Sequence, residues 1–203
     1  ITETNVPHGE NISYFGEGDD EAQMVYNFAL PPLLAFSVLK SNTEKLTNWA
    51  KELDLPGDGV CFFNFTASHD GIGVRAVNGI LDEKEITFLV RTAIGHGGYA
   101  SYRAIGDEDE SPYELNCSYI DLLTHPEEDD NIRVKRMILS QAVVLAMPGV
   151  PGIYFHSLVG SRNYHEAVRK TRINRSINRD KLNYDNLKEL LEEEGSLQKI
   201  LFK

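Results

Sequence analysis

The sequence predicts an α/β fold in which parallel strands alternate with helices, and three observations carry that prediction. The first is the stretch Val60 to Gly73, VCFFNFTASHDGIG, an apolar run of strand character that ends abruptly in His69-Asp70, with Gly71 and Gly73 just beyond. Strands of a parallel sheet are covered on both faces, so they read as continuous apolar sequence and present polar chemistry at their carboxyl ends. The second is a repeated order of strand-like and then helical sequence, without hairpin signals. The third is that four strand-like runs recur in this order, which right-handed βαβ connections place side by side. At 203 residues the chain can bury a sizeable core and makes one domain or a large piece of one.

Ile1 to Thr4 reads as the tail of a strand entering a polar loop, Asn5 to Asp20, with Pro7 and three glycines. Met24 to Leu30 is a second apolar run. Pro31-Pro32 stops it and starts a helix to about Lys40, because proline suits a first helical turn. Thr43 to Leu53 is a further helix, with Trp49 and Leu53 one turn apart on one face. Gly57-Asp58-Gly59 then turns the chain into the Val60 strand. Asp82 to Thr92 is helical until Gly95-His96-Gly97-Gly98 breaks it. Residues 97 to 119 show no clear period and are predicted irregular, a functional loop whose Tyr99, Tyr102, Tyr113 and Tyr119 either rim a ligand or pack onto their own domain. Asn131 to Met147 is a helix burying Ile132, Met137, Ile138, Val143, Val144 and Leu145, and Pro148-Gly149 ends it. Val150 to Val159 resumes strand character, and a charged helix begins near Asn186.

Composition narrows the function classes. Hydrophobic content of 41% with 25% charge fits a globular protein, and no apolar run approaches the roughly 20 residues that span a bilayer. No charged-then-apolar leader precedes Ile1, so a soluble, cytoplasmic chain without a membrane partner is expected. A formal charge of -11 repels a phosphate backbone and argues against nucleic acid as a partner. The acidic runs Asp107 to Glu110, Glu127 to Asp130 and Glu192 to Glu194 read as solvated loops and helix faces. Against that trend, Arg169, Lys170, Arg172, Arg175, Arg179 and Lys181 cluster, as an exposed basic helix end or an anion site. Cys61 and Cys117 read as reduced thiols. The glycosylation match Asn64-Phe65-Thr66 falls in sequence read as buried. With neither His-Glu-x-x-His nor Cys-x-x-Cys, no metal site and no cofactor are expected.

The four strand ends read Thr2-Glu3-Thr4-Asn5, Tyr26-Asn27-Phe28-Ala29, Ala67-Ser68-His69-Asp70-Gly71 and Pro151-Gly152-Ile153-Tyr154. In that order and spacing they resemble the fifth to eighth strands of the α-amylase superfamily, glycoside hydrolase family thirteen. ETNVPH with NISYFG, MVYNFALPPL, NFTASHDGIGVR, SPYELN, MPGVPGIYFHSLVGSRN and RSINRDKL look most like its sucrose phosphorylase subfamily, and together they cover nearly the whole chain. The resemblance implies a partial TIM (β/α)8 barrel, strands five to eight with their helices and a long loop after the seventh strand. Residues 1–203 would be the C-terminal half of the catalytic barrel, with the N-terminal half and a C-terminal β-domain absent.

The same resemblance implies roles. Glu3 falls on the family's general acid/base, Asp70 on its transition-state stabiliser and His69 on a sugar contact; His8, in the ETNVPH motif, is a further substrate-binding candidate. Tyr113 and Glu114 of SPYELN fall near the acceptor and phosphate, and Arg175 of RSINR on a sugar contact. Where sucrose phosphorylases commonly carry a glutamine, Glu114 stands here, which leaves the acceptor open. The family's nucleophile is an aspartate ending the fourth strand, outside this sequence, and Arg179-Asp180 has the wrong spacing to replace it.

The chemistry agrees with these roles. Retaining glycosyl transfer needs one carboxylate to attack the anomeric carbon and one carboxylic acid to protonate the leaving oxygen, about 5 Å apart. Burial or a neighbouring carboxylate would keep Glu3 protonated. An ionised Asp70 would stabilise charge developing on the ring, and phosphate as acceptor calls for cations nearby. Blander readings stand beside each role: Asp70 caps the next helix, Glu3 frays at a chain end, Arg175 pairs with an acidic neighbour.

The implied function is therefore part of a retaining α-glucosyl phosphorylase that takes sucrose or a related α-glucoside and inorganic phosphate to α-glucose 1-phosphate, the 203 residues alone being inactive. The alternatives are a hydrolase or transglucosylase on the same scaffold, or a non-catalytic sugar-binding half-barrel. Unpaired outer strands would favour a homo-oligomer through exposed edges.

Overall fold

The computed structural model describes residues 1–105 and 109–203, so Asp107 and Glu108 of the first acidic run lie outside the described residues. In chain order, α1 (His8–Ser13) precedes β1 (Met24–Tyr26), α2 (Leu30–Lys40), α3 (Glu44–Lys51) and β2 (Cys61–Asn64). Next come β3 (Ile72–Gly73), a 3-10 turn (Arg75–Val77), α4 (Glu83–Gly95), β4 (Tyr99–Ile105), β5 (Asp109–Asn116), α5 (Tyr119–Leu122) and α6 (Asp130–Ala146). The chain ends with β6 (Val150–Pro151), α7 (Phe155–Leu158), α8 (His165–Thr171), a second 3-10 turn (Asn174–Asn178), α9 (Tyr184–Glu192) and α10 (Leu197–Phe202).

The α/β architecture is as expected. β1, β2 and β6 form a parallel sheet in that spatial order, with Val25 opposite Phe62 and Phe63 opposite Val150. Thr2 adds one parallel bridge to Val25, its backbone bonding Met24 and Tyr26. The four apolar runs therefore contribute parallel strands, the first reduced to a single bridge and the last to two residues. α2 is apolar on every side and is buried from Leu30 through Ser37, the condition of a helix sandwiched between layers. Each of its fully buried leucines contributes about 1.5–3 kcal/mol by leaving water. The main core joins α2 to Trp49, Phe65, Leu89 and Met137. A second, smaller cluster of Phe15, Val25, Val60 and Phe62 forms separately, with Ile12 of α1 packed against it. α4 begins with a reciprocal cap in which Glu85 N donates to Asp82 Oδ1 at 2.9 Å and Asp82 N to Glu85 Oε2 at 2.8 Å.

Three expectations are corrected. Residues 97 to 119 are largely ordered: β4 and β5 pair antiparallel, and β5 also pairs with β3, giving a second three-stranded sheet. β5 is exposed at its start and buried at its end, so its side chains show no sustained alternation, and a bulge between Ser101 and Tyr102 breaks the phase of β4. Secondly, Val150 to Val159 is a strand for only two residues and then turns into α7. Pro151 lacks a ladder donor, and at Gly152 a Cβ would lie 2.1 Å from the Phe63 ring.

The third correction concerns α6, which buries Arg133, Val134, Met137, Ser140 and Val144. Ile132, Ile138 and Leu145 are exposed instead. The helix carries two apolar phases about 100° apart, and packing selected the one centred on Met137. Arg133 is tolerated inside because its guanidinium donates to the His125 carbonyl at 3.3 Å, the Glu128 carbonyl at 3.4 Å and the Asp130 carboxylate.

Candidate active site

The seven residues between β2 and β3 carry Ser68, His69 and Asp70 out of the parallel sheet. Asp70 does not cap a helix. Its Oδ1 accepts from Arg175 Nη1 at 2.8 Å and from Arg179 Nη2 at 2.9 Å, and lies 3.7 Å from His69 Nε2. Glu3 approaches from the Thr2 bridge: one ligand atom from each of Glu3, His69 and Asp70 lies within 4.8 Å of the other two. The carboxylate of Glu3 is also the second cause, after burial, that raises the pKa of the Tyr26 phenol. Glu3 is exposed, so the burial expected of it is not found. Three such donors could in principle share a cation, but two guanidiniums already offset the charge of Asp70, which makes the site a poor match for a divalent ion.

The second sheet supplies the other wall. Glu114 sits opposite Gly73 in the β3–β5 pairing and is 4% exposed. Its carboxylate takes a two-pronged pair from Arg175, Nε to Oε1 at 2.8 Å and Nη2 to Oε2 at 2.9 Å, while Asn116 Nδ2 donates to Oε1 at 2.8 Å. One guanidinium thus joins Asp70 to Glu114, and its hydrogen bonding to the Glu114 carboxylate is the leading cause that raises its pKa. The geometry is that of a planar fork matched to carboxylates, which a lysine could not reproduce. Arg175 does pair with an acidic neighbour, but with two, and across two elements.

Tyr113 enters through its backbone. Its carbonyl accepts from Asn5 Nδ2 at 2.9 Å and from Val74 N at 3.1 Å, tying the Glu3 segment to β5. Of the tyrosines expected at a rim, Tyr102 is exposed, whereas Tyr119 is buried and donates to the Pro31 carbonyl at 2.9 Å. His8 is not brought into the group. Its ring packs edge-on against Trp49 at 5.5 Å and along Phe62 at 6.3 Å, and burial lowers its pKa. Phe62 and Phe63 point to opposite faces of the sheet, and the site uses the Phe63 face.

Beside His69 lies a cleft of about 200 Å³ whose lining includes Tyr26, Phe63, Phe65, Gly152 and Tyr154. The rings of Tyr26 and Phe63 stand 4.6 Å apart and those of Phe28 and Phe65 5.4 Å apart. An apolar floor beneath a cluster of acids and bases suits the faces and hydroxyls of a sugar ring. Asn5 and Asn178 were not singled out in the sequence as site residues, and Arg179 entered only as part of the basic cluster, although Asn5 stands two positions from Glu3 and Asn178 and Arg179 share the RSINR motif with Arg175.

Among the described residues no helix is long and apolar enough to cross a membrane. No protein-family model matches the chain. Similar curated proteins are a glucosylglycerate phosphorylase of Escherichia coli, 46% identical over 202 residues, covering all of this chain and 36% of the relative, and a glucosylglycerate phosphorylase of Spirochaeta thermophila, also 46% identical over 202 residues, covering 34% of the relative. A sucrose phosphorylase of Agrobacterium vitis is 31% identical over 166 residues, covering 76% of this chain and 31% of the relative. A crystal structure of sucrose 6F-phosphate phosphorylase from Thermoanaerobacter thermosaccharolyticum superposes with a TM-score of 0.79 at 23% identity, covering 98% of this chain and 38% of that one. The chain spans about a third of the length of the curated relatives it matches.

Proposed function

From the homology of this chain, end to end, with phosphorylases of the α-amylase superfamily, we propose that it is the C-terminal half of a (β/α)8 catalytic barrel in a cytoplasmic, retaining α-glucosyl phosphorylase. The observation that carries the reading is the convergence of Glu3, His69 and Asp70 within 4.8 Å, beside the Arg175 bridge to Glu114. Glu3 donates a proton to the departing glycosidic oxygen and later takes one from the acceptor. Asp70 faces the positive charge that develops at the anomeric carbon, and two guanidiniums hold its carboxylate in place. His69 holds a sugar hydroxyl. The nucleophile comes from sequence beyond these residues, so the 203-residue chain alone is inactive.

Glucosylglycerate is the substrate we favour over sucrose, because the proteins bearing that name are 46% identical to this chain and the sucrose phosphorylase of Agrobacterium vitis is 31% identical. Glu114 and Tyr113 lie on the acceptor side, with Arg175 between acceptor and sugar. The two outer edges of the parallel sheet, at Thr2 and at β6, favour self-association of the isolated chain, and a clean monomer by light scattering at micromolar concentration would remove that part. Incubating the full-length protein with phosphate and glucosylglycerate, or with sucrose, and assaying glucose 1-phosphate against free glucose tests the whole. Glucose 1-phosphate from glucosylglycerate in preference to sucrose is expected. Free glucose alone would replace phosphorolysis with hydrolysis.

A further inference from the structure

We infer that Asn178 is a positioning residue that aims Asp70; the inference rests on the active site proposed above. Ser68, His69 and Asp70 leave β2 in irregular backbone, and among the described residues none of their three carbonyls takes a backbone partner. Two adjacent side chains supply all three bonds. Asn178 Nδ2 donates to the Ser68 carbonyl at 3.1 Å and to the Asp70 carbonyl at 2.9 Å, and Arg179 Nε donates to the carbonyl of His69. A single amide nitrogen with two protons is the group that can bracket two carbonyls two residues apart.

Asn178 is itself fixed. It is 6% exposed, at the end of the second 3-10 turn, and its own carbonyl accepts from the Tyr154 hydroxyl at 3.0 Å. The partners of its side chain are backbone carbonyls, not groups expected to touch the sugar. Arg175 and Arg179 hold the carboxylate of Asp70, whereas Asn178 holds the backbone from which that carboxylate hangs. A stabilising charge must sit within about half an ångström of its working place, and a displacement of about 1 Å in a reacting constellation costs on the order of a hundredfold in rate.

The test replaces Asn178 in the full-length protein by alanine, and separately by serine, which keeps one shorter donor. Each variant is followed by steady-state kinetics and by hydrogen exchange at the amides of residues 68–71. The expected result for Asn178→Ala is a kcat lower by about a hundredfold, KM within threefold of the parent, and faster exchange in that segment. Asn178→Ser should lose at least about tenfold in kcat, and it decides the question should the alanine variant fail to fold. A kcat within threefold of the parent in a folded variant overturns the inference. Should the parent show no phosphorolysis, the proposed function fails, and exchange alone decides: protection lost at 68–71 supports the role of Asn178, unchanged protection ends it.

Discussion

Glu3 and Asp70 meet in one cluster but arrive on opposite kinds of anchorage. The segment bearing Glu3 is held to the sheet by the single bridge of Thr2 and by Asn5 reaching the Tyr113 carbonyl, and the Glu3 side chain is exposed. Asp70 hangs from backbone bonded by Asn178 and Arg179, and its carboxylate carries two guanidinium contacts. The difference matches what the two proposed roles demand. A general acid must gain and lose a proton in each cycle, so permanent cationic partners would hinder it. A stabiliser must stay put, and two guanidinium contacts fix the carboxylate before the reaction begins.

The strongest challenge to this contrast is Asp70→Asn, which removes the charge and keeps the shape. Turnover in the full-length protein should fall by about a thousandfold or more, measured as initial rate with phosphate in excess. A loss under tenfold would make the held carboxylate a structural prop. Glu3→Gln should cost on the order of a hundred- to ten-thousandfold on substrates with poor leaving groups, and much less on α-glucosyl fluoride, whose leaving group needs no proton. Equal losses on both substrates would remove the acid from Glu3.

Arg175→Ala bears on the rigid side alone. It strands Glu114, which is 4% exposed, without its cation. A fully buried pair broken this way loses about 3–5 kcal/mol, and the partial exposure of Arg175 reduces the expectation to about 2 kcal/mol. Denaturant melts of the single variant and of Arg175→Ala with Glu114→Gln should show the second change restoring most of the loss. If it restores none, the pair is not what holds the two sheets together.

The smallest effect concerns the loosely held end. Burial lowers the pKa of His8, so the unfolded chain takes up that proton first as pH falls through the ordinary value of 6.5. Stability therefore declines from about pH 6.5 down to the depressed native value and is fully present above 6.5. His8→Phe should flatten that slope by about 1 kcal/mol or less, read from melting temperature against pH. Burial lowers His156 as well, so some slope remains.

Legibility followed the same divide. The parallel strands, the Pro31-Pro32 helix and the His69-Asp70 exit were readable as apolar runs ended by polar residues, even though β1 and β2 are buried on one face and half-buried on the other and β6 is exposed. β4 and β5 were not, because a sheet half open to solvent tolerates Ser101, Arg103, Glu110 and Ser111 along its length and a bulge disrupts the period. His8 was drawn into the site by motif alone, whereas its apolar neighbours Trp49 and Phe62 lie far away in sequence. Asn178 went unread for a similar reason: its partners sit some 110 positions earlier.

Gly71 and Gly73 carry a last consequence. A methyl group at Gly71 would come within 2.6 Å of Asn116 Nδ2 and 2.8 Å of the Glu114 carboxyl carbon, and one at Gly73 within 2.5 Å of Asn5. The chain on either side of Ile72 is therefore packed directly against Glu114, Asn116 and Asn5, and neither position admits a side chain unless those residues move. Libraries aimed at altered acceptors should leave both glycines untouched and randomise the residues that face them.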